Sequence, residues 1–183
     1  MKKLHFRLLM VVSLITVLYL SFGCQNQTDK KEFESLKTAQ ETQDQNKEIA
    51  RDVILSTNNN DFVRLNELLS DSLSFNAPGL EEPWNKTDVF NSIKNFYEAF
   101  PDWTQSITEI IAEGDKVVIK LTAKGTHKTI YRNIMPTDKS VTSESIQILT
   151  ITSGKVTDWW GLEDNLGFVE QLGMELKPIE IKK

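Results

Sequence analysis

The apolar residues switch from a mainly helical to an alternating period around Pro101–Trp103, and that switch restricts the fold more than any other feature. Before it the spacing is helical. Val89, Phe90, Ile93, Phe96, Tyr97 and Phe100 form one stripe, with Thr87 as a candidate cap and Pro101 as the stop. Upstream, Ile49, Ala50, Val53 and Ile54 form a stripe closed by Asn58-Asn59-Asn60, and Phe62, Leu65, Leu68 and Leu69 form a shorter one. Residues 73–76 read as a brief strand, with Ala77-Pro78-Gly79 and Pro83 marking a loop. After Trp103 the period is two. Candidate strands cover 104–112, 116–128, 141–152 and 155–162, with turn signals at Glu113-Gly114-Asp115 and Ser153-Gly154. Val117, Ile119, Leu121, Ala123, Gly125 and His127 share one face of the second of these, and Val118, Lys120, Thr122, Lys124 and Thr126 the other. One sheet face is therefore buried and one largely wet. A last helix over 165–173 precedes a loose tail, 175–183. Helices first and long antiparallel strands afterwards specify an α+β domain over 46–174. A strongly bent sheet wrapped over the helices would make a cone with one open end.

The first 24 residues follow different rules. Lys2, Lys3 and Arg7 precede a mostly apolar tract, 8–23, too short to span a bilayer as a helix and typical of an export signal. It ends at Ser21-Phe22-Gly23-Cys24, which resembles a bacterial lipoprotein processing site with Cys24 as the acylated residue; a plain secretory signal with Cys24 incidental is the alternative. Residues 25–45 hold only three apolar side chains, Phe33, Leu36 and Ala39, too few to offset the entropy of ordering. They read as a flexible tether with a root-mean-square span of roughly 25 Å. The expected location is the bacterial cell envelope, with membrane contact through the lipid anchor only.

Charge and composition remove several functions. The chain carries 21 Lys+Arg against 26 Asp+Glu, and without the three N-terminal bases the body is more acidic still. Wrapping nucleic acid needs clustered bases, so no nucleic acid is expected as a partner. One cysteine and two histidines leave no disulfide, CxxC pair or multi-histidine metal centre. A phosphate-binding glycine loop, HExxH and G-x-S-x-G are absent.

Several short pieces carry a resemblance in their order and spacing. They are Phe100-Pro101-Asp102-Trp103, Ile111-Ala112-Glu113-Gly114-Asp115-Lys116-Val117-Val118, Gly125-Thr126-His127, Met135-Pro136-Thr137-Asp138-Lys139, Gly154-Lys155-Val156, and Trp160 with Asp164, Leu166-Gly167 and Gln171-Leu172-Gly173. Residues 46–173 thereby resemble the SnoaL-like polyketide cyclase, or ester cyclase, group of the nuclear transport factor 2-like superfamily. The resemblance implies a cone fold, acid/base chemistry with no metal or organic cofactor, and an Asp that removes a proton next to a carbonyl. That Asp falls on Asp164, which could equally cap the last helix. His127 is either a pocket acid/base partner or an imidazole bonded to a carbonyl. Trp160, Asp158 and Glu144 are candidate ligand contacts on strands, and Phe96, Tyr97 and Trp103 candidate walls of a flat-ligand pocket. Trp159, alternating with Trp160, would face outward and mark a homodimer contact, since this family commonly pairs through its sheet.

The expected function is binding of a small, mainly apolar or aromatic molecule, with cyclase, isomerase, dehydratase or hydrolase chemistry if catalytic. A non-catalytic ligand-binding or protein-interaction lipoprotein of the cell envelope is the alternative.

Overall fold

A computed structural model describes residues 2–175 and 177, with side chains from residue 29 onward. The side chains of Cys24 and of the apolar tract before it, and most of the tail after 175, lie outside what the structure describes. The chain divides into two units, 1–42 and 43–183. The described part of the first is helix, and its side chains at 29–42 are all exposed. The stretch read as a tether is helical, with side chains exposed throughout 29–42.

The second unit holds the fold. Helix α1 (Lys2–Asn58) runs into it and buries Ala50, Val53 and Ile54, the stripe expected from spacing. Two amides tie this part of the helix to the sheet. Asn46 Nδ2 donates to the Gly114 carbonyl at 3.2 Å, and Asn58 pairs with the backbone of Gln105 in both directions, at 2.8 and 2.9 Å. Helix α2 (Phe62–Leu68) is capped by Asp61, which accepts from Arg64 N. It stops one residue before expectation, because Leu69 begins strand β1 (Leu69–Asn76). Lys86 closes this corner: its Nζ donates to the Asn66 and Leu69 carbonyls and to Asp71 Oδ1, so all three ammonium hydrogens have partners.

Helix α3 (Lys86–Ala99) starts at Asn85 rather than at Thr87. Asn85 Oδ1 accepts from the Thr87 and Asp88 amides while Asp88 Oδ2 accepts from Asn85 N, a reciprocal capping box. At its end Pro101 has no N–H to continue the ladder. Asp102 then pins the turn to the sheet by accepting from Thr126 Oγ1 and Thr126 N, each at 2.7 Å. These bonds, the hydroxyl's first, hold the Asp102 carboxyl below its ordinary range.

Strands β2 (Thr104–Glu113), β3 (Lys116–Thr126), β4 (Ser140–Thr152) and β5 (Lys155–Glu163) follow, and α4 (Asn165–Gln171) ends the domain. The order in the sheet is β1-β5-β4-β3-β2, antiparallel except for β1, which lies parallel to β5. The sheet is bent and unclosed. Its inner face on β3 is the predicted one, with Val117, Ile119, Leu121 and Ala123 buried. One core cluster joins α1, α2 and β1 to the middle of the sheet, and a second, aromatic one centres on Phe100.

Two bulges break the simple alternation. Ile107 opposes Leu121 but Glu109 opposes Lys120, leaving Thr108 extra in β2. Thr150 opposes Asp158 but Ile151 opposes Val156, leaving Thr157 extra in β5. A one-residue slip moves every later side chain to the opposite face. The β5 bulge therefore turns Trp159 inward and Trp160 outward, reversing the assignment that strict alternation makes.

Gly125 marks the tightest approach in the sheet. A Cβ there would lie 2.7 Å from Trp103 Cε3 and 3.1 Å from Trp103 Cα. Gly125→Ala is expected to cost about 1–3 kcal/mol through overpacking against backbone that cannot yield. Chemical denaturation would measure it, and an unchanged midpoint would contradict the packing described.

Candidate functional site

A cavity of about 540 Å³ opens within the second unit, between α3, the inner sheet face, and the segments around residues 77–84 and 131–132. Its walls are aromatic because α3 and β5 present their apolar faces to it. Phe75 stacks on Trp84 at 5.6 Å and meets Trp159 edge-on at 5.7 Å, and Phe96 meets Trp103 edge-on at 4.9 Å. All five line the space, together with Tyr97 and Tyr131.

Three polar side chains of the lining have groups that could serve chemistry. Gln147 is buried on β4, and its Oε1 accepts from Trp159 Nε1 at 2.9 Å. An indole N–H only donates, so the amide oxygen must face it, and the amide hydrogens are what Gln147 offers to the cavity. Tyr97 has a buried hydroxyl with no hydrogen-bond partner. Burial pushes this phenol up to about 12; the Gln105 side chain opposes the shift without reaching hydrogen-bond geometry. Tyr97 is thus a neutral donor in want of an acceptor. Glu163, at the end of β5, is an exposed residue, yet partial desolvation of its carboxyl in the cavity lining pushes its pKa upward against the opposing pull of Arg132. Arg132 and Asn165 complete the mouth, with Arg132 Nη1 donating to Asn165 Oδ1 at 3.1 Å.

This arrangement suits a ligand with a flat apolar body and an acceptor oxygen. Two neutral donors in a low-dielectric wall can stabilise developing negative charge on that oxygen. A carboxyl whose ionised form is disfavoured by burial is a better base, and then a better acid, than one in water.

The residues expected from sequence divide into two sets. Phe96, Tyr97 and Trp103 line the cavity as expected. Trp160, Asp158 and Glu144 do not. The β5 bulge turns Trp160 and Asp158 to the outer face, and Glu144 is exposed on that face opposite Thr122. Asp164 caps α4, its Oδ1 accepting from Gly167 N at 2.9 Å, and it is exposed and outside the cavity wall. His127 lies on the predicted face and is completely buried, but Phe100 stacks over its ring at 5.1 Å and Thr137 Oγ1 faces Nδ1 at 3.2 Å. It sits in the aromatic cluster and is not part of the cavity wall. Trp159, expected outside, is buried and lines the cavity. Glu163 and Arg132 are the polar lining residues that sequence reasoning missed, whereas Gln147 was already a possible ligand contact on the Leu149 and Ile151 face of β4. A signal for Glu163 existed only in the phase of β5, which the bulge conceals.

Comparison with known proteins agrees with this architecture. Residues 47–172 match the family model described as SnoaL-like polyketide cyclase. Among solved structures, AclR from Streptomyces galilaeus, a proposed hydroxylase, is 21% identical with a TM-score of 0.66, covering 72% of this chain and 97% of its own. IdmH from Streptomyces antibioticus, a proposed polyketide cyclase, is 22% identical with a TM-score of 0.65, covering 70% and 99%. An LEH-like epoxide hydrolase from M. tuberculosis is 14% identical with a TM-score of 0.58, covering 72% and 91%. At these identities the likeness concerns the fold. No curated protein matches the chain. The family match covers well over half the sequence, and the element order, bent sheet and inner-face cavity agree with it: the chain belongs to the SnoaL-like polyketide cyclase family.

Proposed function

We propose that this protein binds a small, mainly apolar molecule carrying a carbonyl or epoxide oxygen and performs acid/base chemistry beside that oxygen. The observation that carries this reading is one aromatic cavity whose lining includes Tyr97, with its unpartnered hydroxyl, Gln147, and Glu163, whose carboxyl pKa is raised. In the proposed reaction Tyr97 and Gln147 donate to the substrate oxygen. Glu163 removes a proton from the adjacent carbon, or from a water in the epoxide case, and returns it later. The reaction class is cyclisation, isomerisation, dehydration or hydrolysis. Support for the epoxide case comes from the fold shared with an epoxide hydrolase. Asp164, as a cap, would act on the site only by holding α4.

The first test is a thermal-shift panel of aromatic polyketides, lactones, esters and epoxides. A stabilisation that scales with concentration, as mass action requires, names the class for turnover assays. No shift from any class would contradict the reading.

We also propose that the protein is exported and held at the cell envelope by lipidated Cys24. Supporting this are the basic start, the apolar tract and the position of the sole cysteine. Cys24→Ser is expected to move the protein from the detergent phase to the aqueous phase; continued detergent partitioning would sink the anchor. A homodimer through the outer sheet face is proposed as well, because Val118, Ile148 and Trp160 are cross-strand neighbours there, beside exposed Ile146 and Leu162. Trp160→Glu should then halve the mass measured by light scattering, and an unaltered dimer would refute that face.

A further inference from the structure

Arg132 occupies a backbone position that its residue type does not favour. Tyr131 and Ile134 exchange both backbone hydrogen bonds, at 3.1 and 2.8 Å, so Arg132 and Asn133 form a two-residue turn. Their φ values are 48° and 64°. That is the mirror-image turn that favours Asn, Asp and Gly, and a residue with a long side chain enters it at a cost. Strain of this kind persists where the surrounding structure needs it.

What the turn accomplishes is the placement of one guanidinium. The Arg132 Cζ lies 5.1 Å over the Tyr131 ring, and Nη1 is held by Asn165 Oδ1. A ring face beneath and an amide at one side fix the plane of the group while consuming one of its five N–H donors. Among the described residues Arg132 makes no ion pair with a carboxylate within 4 Å, whereas Arg51 pairs with Glu48 and Arg64 with both Asp52 and Glu67. Arg132, Tyr131 and Asn165 all line the cavity.

We propose that Arg132 is a carboxylate anchor at the cavity mouth, and that the ligand is an apolar acid whose anionic end stays at the rim while its body enters the aromatic interior. This rests on the cavity-binding reading above and names the ligand class for it. A planar guanidinium with free N–H groups matches a carboxylate in bidentate fashion, which a neutral isostere cannot reproduce. Tyr97 and Gln147, further in, remain for a second oxygen on the body.

The test uses the full chain and matched probes: anthracene-2-carboxylate against anthracene-2-carboxamide, and dodecanoate against dodecanamide, titrated by calorimetry. Wild type is expected to bind at least one acid about tenfold tighter than its amide. Arg132→Gln should bring that ratio close to one, the acid losing far more affinity than the amide. Arg132→Asn should do the same and, because Asn accepts this backbone conformation readily, melt no lower than wild type. Arg132→Lys should keep part of the preference, as a point charge without the fork. Equal binding of acid and amide by wild type, with the amide bound, would overturn the anchor and leave the cavity reading standing. A preference that survives in both Arg132→Gln and Arg132→Asn would also overturn it. Failure of all four probes, the neutral ones included, would overturn the anchor together with the reading beneath it.

Discussion

Glu163→Gln is expected to lower turnover by about 10²–10⁴-fold while changing ligand affinity little. The substitution keeps shape and hydrogen-bonding capacity but removes the ability to take and return a proton. The variant also has a signature in stability, and its sign follows from the raised carboxyl. A carboxyl whose folded pKa lies above its unfolded value contributes stability that is fully present below the unfolded value and is lost as pH rises through the folded one. Wild type should therefore lose stability, relative to Glu163→Gln, as pH climbs through and above the ordinary glutamate range. Melting curves of both proteins from pH 4 to 8 would show the gap opening toward neutral pH. The opposite slope would mean that Arg132 outweighs burial at this carboxyl. Unchanged turnover would remove Glu163 from the chemistry.

Phe100→Ala is expected to cost about 3–5 kcal/mol, a large share of the stability of an ordinary domain. Phe100 is fully buried, stacked between Phe96 at 4.9 Å and His127 at 5.1 Å, with Trp103, Tyr131 and Phe168 at its edges. Truncation leaves a void that these rings, held by α3, the segment entering β2, α4 and the 131–134 turn, can fill only in part. It also removes the ring that covers the His127 imidazole, whose Nε2 has no partner. Phe96, Trp103 and Tyr131 line the cavity as well as this cluster, so ligand affinity should fall along with stability. Phe100→Leu should recover much of the loss. A drop below about 1 kcal/mol for the alanine variant would show that the cluster is not the keystone described here.

Much of the fold was legible because periodicity reports burial directly. The α3 stripe from Val89 to Phe100, the Pro101 stop and the alternation of Val117, Ile119 and Leu121 each correspond to one element with one buried face. Bulges do not advertise themselves in this way. From Val156 onward, the set Val156, Asp158, Trp160, Leu162 and the set Trp159, Gly161, Glu163 alternate equally well, and only pairing with β4 shows that Thr157 is supernumerary. Trp160 and Asp158 were expected inside for that reason, and Glu163 was overlooked. The parallel pairing of β1 with β5 depends on contacts distant in sequence, which local spacing does not encode. Asp164 illustrates a different limit. A carboxylate that begins a short helix and a carboxylate that serves a pocket look alike in sequence, and here the side chain is engaged with Gly167 N. Arg132 lies in a loop with no period at all, so nothing but the folded turn could bring it to the cavity.

The central claim is that the cavity receives a ligand, and Gly161 allows it to be tested without disturbing the fold. A Cβ at Gly161 would meet only Phe75 Cε2 and Cζ, both at an ordinary 3.8 Å, so the site accepts a side chain and the larger Gly161→Val would reduce the space beside Phe75. The decisive measurement is a ligand titration followed by melting temperature, with wild type and Gly161→Val side by side. Wild type should gain about 2.7 kcal/mol at a ligand concentration one hundred times Kd, while Gly161→Val melts near wild type without ligand and gains little with it. Equal stabilisation of both proteins would place the ligand elsewhere and contradict the account.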